Sequence, residues 1–318
     1  MSTRHEKIGG KTLAVSMNPQ GNGLELYSPI WKDFGLENVA PCVQVDGVAA
    51  VLDQCDVNQH PDNSAMELNF HGSAFEIRLQ FELLEGNILR MRSRARNLAN
   101  KEVSLTRVSL LKTNRLSLGN SPPARVIVLE EEGNYRARVL SLVDEASKDD
   151  RLRHSNKFWL AYSLDVKKGF LVGFETSRRW LGQIKLLASP AGVIREWEVG
   201  FDGGDLMMES GEEIELENVL FFIGDDPWYL LESYGEAVQT YHKVVSLPAK
   251  PPISWCSWYP YRLGVTDIEI CPSHRCEVSN PTKNPFFTSR LYTNQNIFEC
   301  LRRSSLLVSS TSDNILAQ

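Results

Sequence analysis

The chain has 318 residues, a net charge of −6, 42% hydrophobic and 23% charged residues, an ordinary balance for a globular protein with room for two domains. The negative balance argues against a nucleic-acid partner, whose phosphates call for a basic face, and no apolar run reaches the 18 or so residues of a membrane span. The opening MSTRHEKIGG has no signal-like apolar stretch and six cysteines are too few for a disulfide scaffold, so a reduced, cytoplasmic setting is expected.

Residues 5 to about 222 break into short strand-like runs separated by turn residues, with no helical period. The clearest is Ala74–Leu84. Phe75, Ile77, Leu79, Phe81 and Leu83 alternate there with Glu76, Arg78, Gln80 and Glu82, which puts the apolar side chains on one face. Glu85-Gly86-Asn87 supplies a turn and Ile88–Ala95 the returning arm of a hairpin. Further runs are Val103–Leu111, Arg125–Leu129, Tyr135–Val143, Phe158–Leu164, Phe170–Phe174, Trp180–Leu187, Val193–Val199 and Ile214–Ile223. Lys167-Lys168-Gly169 and Asp202-Gly203-Gly204-Asp205 read as turns between them. About a dozen strands with short connections predict a mainly β domain, a large antiparallel sandwich.

The pattern changes at Asp225-Asp226-Pro227, an Asp cap followed by Pro at the first helical position. Trp228, Leu231, Tyr234, Val238, Tyr241 and Val245 then recur at spacings of three and four, predicting one apolar stripe on a helix that stops before Pro248. Pro248 to Pro252 reads as a stiff spacer. Ile253–Tyr259 follows with the composition of a buried strand, and Pro260 stops it by removing a ladder N–H. Residues 268–318 contain no glycine, eight serines and three of the six cysteines, and they hold neither period, which predicts an irregular tail.

Several side-chain groups invite a functional reading. Arg90, Arg92, Arg94 and Arg96 stand two apart, so a strand displays all four on one face. That is either an anion patch or, as we favour, a solvated face opposed by Glu76 and Glu82 on the neighbouring arm. Cys271, His274 and Cys276 lie close together, but only Cys300 follows, and no zinc site is assigned. Gly203-Gly204 lacks dinucleotide-loop spacing, and no nucleophile elbow or phosphate loop occurs. His71 and His154 have no nucleophile motif nearby, and Asp144-Glu145 and Asp149-Asp150 fall in polar turns. Trp255, Trp258 and Tyr259 fit either a packed core or a sugar platform, with Trp258 and Tyr259 placed at the strand end to leave the core.

The run PPISWCSWYPYRLGVT (Pro251–Thr266) resembles the entry into the catalytic barrel of the melibiase-type α-galactosidases, glycoside hydrolase family 36. The preceding DDPWYLLESYGEAV resembles the helix that joins their N-terminal β-supersandwich to that barrel. The resemblance implies a β-supersandwich over 1–224, a linker helix and proline spacer over 225–252, the first strand of a (β/α)8 barrel over 253–267, and an unrelated tail over 268–318. It implies Trp258 and Tyr259 as substrate-binding residues for an α-galactoside, no metal or organic cofactor, and a homo-oligomer. Such enzymes hydrolyse terminal α-galactosides with retention, through two aspartates about 5–5.5 Å apart. Neither aspartate motif is present here, so no catalytic residue is assigned, Asp267 and Asp313 included. A barrel needs about 200 residues or more, so the chain is expected to be an incomplete member, inactive alone. The alternative is a non-catalytic carbohydrate-binding or interaction module.

Overall fold

The computed structural model describes residues 7–60, 64–132, 136–144 and 146–243. The chain divides into two units, Met1–Val245 and Ser246–Gln318, and all described residues fall in the first.

The first ten strands are β1 (Lys7–Gly9), β2 (Ala14–Met17), β3 (Leu24–Tyr27), β4 (Phe34–Val45), β5 (Val48–Ala49), β6 (Gln54–Gln59), β7 (Ala65–His71), β8 (Phe75–Leu84), β9 (Ile88–Asn97) and β10 (Val103–Thr113). The next ten are β11 (Arg115–Leu118), β12 (Val126–Glu132), β13 (Arg136–Ser141), β14 (Arg151–Ser155), β15 (Phe158–Ser163), β16 (Lys168–Phe174), β17 (Gln183–Ala188), β18 (Ile194–Met208), β19 (Glu213–Glu215) and β20 (Val219–Gly224). One helix, α1 (Pro227–His242), follows.

The strands form two ten-stranded antiparallel sheets. Sheet one runs β1-β2-β3-β4-β10-β18-β17-β14, with β5 and β11 also on β4. Sheet two runs β13-β12-β15-β16-β20-β9-β8-β7-β6, with β19 also on β9. The predicted mainly β, antiparallel sandwich is the observed fold. The hairpin between β8 and β9 closes with Leu84 opposite Ile88. Gly86 (φ 77°) and Asn87 (φ 61°) turn the chain, two residue types that tolerate the left-handed region.

Between the sheets lies one continuous core. Phe75, Ile77, Leu79, Phe81 and Leu83 of β8 face into it, as their alternation requires. Its centre is aromatic: Trp159 and Trp197 meet edge-on at 6.2 Å, and Trp180 stacks on Phe201 at 4.7 Å.

Three sequence readings need correction. Asp202–Asp205 is a bulge inside β18, not a turn. Leu105 pairs with Leu206 while Arg107 pairs with Asp202, so β18 spends two extra residues there. Glycine is required at 203 because a Cβ would lie 2.1 Å from the Leu105 carbonyl oxygen. The run Ile214–Ile223 is two strands, β19 and β20, parted where Glu217 turns inward. The third correction concerns α1. Leu230 is its one fully buried residue, with Leu231, Tyr234, Ala237 and Val238 packed beside it, whereas Trp228 is 74% exposed. At about 100° per residue, Trp228 sits roughly 120° from Tyr234 and so leaves the stripe. The helix ends at His242 with Lys243 as a left-handed cap, and Val245 lies outside the described residues.

Candidate functional site

Trp258 and Tyr259 lie outside the described residues, as do the stretch expected to open a barrel, the expected tail and the Cys271, His274, Cys276 group. Within the described residues, the polar chemistry concentrates on the outer face of sheet two, beside α1.

One half of that face is apolar. Leu160, Leu171, Leu220 and Phe222 point away from the central core and are covered by Leu230 and its neighbours on α1. Burying such a leucine contributes about 1.5–3 kcal/mol. Glycines let the helix lie this close: at Gly173 a Cβ would sit 2.5 Å from the Tyr234 ring. Tyr234 in turn donates to the Phe174 carbonyl at 2.8 Å. Asp226 caps the helix by accepting from the Trp228 amide at 2.9 Å, as the Asp-Pro start predicted.

The other half is a lattice of arginine and glutamate on β9, β8 and β7. Arg90 donates to Glu82 at 2.8 Å and to Glu175 at 2.6 Å, and the Glu175 side chain is fully buried. Arg92 meets Glu82 at 3.0 Å, and Arg94 meets Glu213 at 3.1 Å and Glu215 at 3.3 Å. Arg78 reaches Glu76 at 3.0 Å and approaches Glu67 and Glu213. Arg90, Arg92 and Arg94 thus form the paired sheet face favoured above, with Glu175, Glu213 and Glu215 as partners that lie far away in sequence.

Where the halves meet, the end of α1 is tied to the sheet. Arg90 and Arg178 each lie over the Tyr241 ring, 5.5 and 5.7 Å from its centroid, and Arg178 also donates to the Tyr241 hydroxyl. His242 Nε2 donates to the Glu175 carbonyl at 2.7 Å. Beneath this, Glu217 accepts from the Thr176 hydroxyl at 2.5 Å and from the amides of Arg178, Arg179 and Trp180 at 2.9–3.1 Å. Burial pushes the Glu217 carboxyl up, but those hydrogen bonds outweigh it and hold it below the ordinary 4.5.

Between the lattice and the helix end opens a groove of about 300 Å³, walled by Arg92, Arg94, Arg178, Glu215, Asn218 and Tyr241. Arg92, Arg94 and Arg178 have side chains about half exposed, at 50%, 49% and 61%. Its charged lining is four guanidiniums (Arg78, Arg92, Arg94, Arg178) and two carboxylates (Glu67, Glu215), with Glu76, Glu82 and Glu213 as further ion-pair partners of these arginines. Such a surface presents hydrogen-bond donors and acceptors side by side. Beneath it, Glu217 is held below its ordinary value, the wrong direction for a general acid.

Other polar groups serve structure. His71 pairs with Asp56 at 2.9 Å, and Asp150 with Arg195 at 3.6 Å. On the outer face of sheet one, burial raises the Glu198 carboxyl but Arg107 and Ser109 hold it below its ordinary value. Burial pushes the Cys55 thiol up to about 12, so it is unreactive. Among the described residues no three metal-ligating side chains cluster, and no helix is long and apolar enough to cross a membrane.

Two large antiparallel sheets packed face to face, with a helix across one outer face, define a β-supersandwich. Solved structures of this kind include a variant of the glycoside hydrolase family 36 α-galactosidase AgaA from Geobacillus stearothermophilus in complex with stachyose. That match has a TM-score of 0.54 at 12% identity and covers 87% of this chain and 49% of that one. The chain thus spans about half the length of that enzyme. A Klebsiella pneumoniae protein assigned provisionally as an aldose 1-epimerase is also similar, with a TM-score of 0.45, 8% identity, and coverage of 74% of this chain and 81% of that one. No family model matches the chain, and no curated protein matches it in sequence.

Proposed function

We infer that residues 1–224 are the N-terminal, non-catalytic sandwich of a glycosidase-type protein that acts on terminal α-galactosides. Residues 225–252 are its linker and spacer, and 253–267 open a (β/α)8 barrel. Trp258 and, less directly, Tyr259 line the galactose pocket of such a barrel. The observation that carries the reading is the fold shared with the α-galactosidase over 87% of the chain, together with the aromatic run PPISWCSWYPYRLGVT that follows the helix. The fold supports the sandwich, and the resemblance of the run supports the barrel and its substrate class.

The 318 residues by themselves carry neither catalytic aspartate motif, so the chain alone does not hydrolyse. Retaining hydrolysis needs two carboxyls bridging one glycosidic bond, one as nucleophile and one as acid. Offering the purified chain a chromogenic α-galactoside tests this. Release should match the buffer blank; release that scales with protein across preparations overturns the inactive assignment. A second reading, a carbohydrate-binding module that works without a barrel, is favoured by one observation, the groove beside α1.

A further inference from the structure

We propose that the groove between the arginine–glutamate lattice and the C-terminal turn of α1 is a binding site for a neutral saccharide. The choice of sugar as ligand rests on the function inferred above; the place and the polarity of the site rest on its residues.

Charge excludes the simplest alternative. Each arginine that lines the groove already carries a glutamate (Arg78 with Glu67 and Glu76, Arg92 with Glu82, Arg94 with Glu213 and Glu215, Arg178 with Glu215), so an anion entering it would have to displace a carboxylate. An apolar ligand would strip water from guanidinium and carboxylate groups and replace it with nothing. A sugar hydroxyl both donates and accepts. It matches a wall that holds both donors (Arg92, Arg94, Arg178) and acceptors (Glu215, Glu67), where charge-assisted hydrogen bonds make each contact strong. The groove is also organised before any ligand arrives. Arg94 is fixed by two glutamates, Asn218 Nδ2 donates to the buried Glu175 at 3.1 Å, and Arg178 is held on Tyr241. Preorganised donors lose little freedom on binding. The volume of about 300 Å³ stands at the lower bound for small-molecule sites and suits a short saccharide, not a long chain lying along the sheet.

The site would hold sugar without acting on it, and it sits on the sandwich, apart from Trp258 and Tyr259 in sequence. Isothermal titration of the 318-residue chain with melibiose tests it, using galacturonate and inorganic phosphate as anionic probes. Melibiose should give saturable heat that is unchanged between low and high salt. Arg94→Ala and Glu215→Ala should each weaken binding about tenfold or more, the loss of hydrogen bonds to a charged group. Arg125→Ala, whose exposed partner is Asp165, should leave it unchanged. Circular dichroism confirms that each variant is folded, and Arg92→Gln offers a milder change on the same wall. No saturable heat with melibiose overturns the proposal. So does equal binding in all groove variants, which would put the sugar elsewhere while leaving the inferred function standing. Tighter, salt-sensitive binding of galacturonate or phosphate would make the groove an anion site and overturn it too.

Discussion

The two halves of sheet two's outer face solve one problem in different ways. Under α1, β16 and β20 are apolar on both faces, and a helix shields the outward side. On β9 and β8 the outward side chains are charged and shield one another in ion pairs, leaving the face open. A helix-covered face is sealed and structural; an ion-paired face stays wet and can meet a ligand. The border between them runs along Glu175, Arg90 and Tyr241, and the candidate groove opens beside it at Tyr241 and Arg178.

Substitutions on the two sides should behave differently. The largest effect is expected at the border. Glu175→Ala leaves Arg90 half-paired in a desolvated place and should cost about 3–5 kcal/mol by chemical denaturation. A loss below 1 kcal/mol would show that the border is wetter than described. In the sealed half, Leu230→Ala opens a hole between α1 and β16 and should cost about 2–4 kcal/mol. Dye binding should rise as Leu160 and Phe222 become accessible.

A smaller effect concerns acid. Glu217 has a folded-state pKa below its ordinary 4.5, so the unfolded chain binds the proton more tightly. Its contribution is fully present above that ordinary value and is lost as pH falls through the folded value. Thermal unfolding midpoints should therefore drop with acidification below about pH 4.5, less steeply in Glu217→Gln; parallel curves would remove Glu217 from the account. Smallest of all, Arg94→Ala on the open half should cost less than about 1 kcal/mol, because both its ion pairs are exposed. Its effect belongs to binding instead.

Much of this contrast is written in the residue pattern. The alternation of Phe75 to Leu84 marks a strand with one wet face, and the unbroken apolar runs Gly169–Phe174 and Val219–Ile223 mark strands covered on both. The Asp-Pro helix start was also legible. Strands β1 to β3 were not legible individually because three or four residues are too few to show a period, and β4 was not because Gly35 (φ 150°) and Asn38 (φ 50°) break its alternation. The helix stripe was misplaced onto Trp228 because an aromatic at spacing three from Leu231 satisfies a local count while missing the axis set by Tyr234. The groove was legible only in part. The arginine row is local, but Glu175, Glu213, Glu215, Asn218 and Tyr241 arrive from 80 to 150 residues away through the pairings of β9 with β19 and β20. No local spacing records such a meeting. One signal was available: a row of four arginines on a strand face needs more carboxylates than one neighbouring arm supplies.

The central claim, that this sandwich precedes a glycosidase barrel, meets its most direct test in the transcript. Sequencing past the codon for Asp267 and reading all three frames should reveal one frame that continues the aromatic strand into alternating strands and helices, with two aspartates at strand ends. If no frame does so, the sandwich stands without a barrel, and the assignment to α-galactoside chemistry is contradicted.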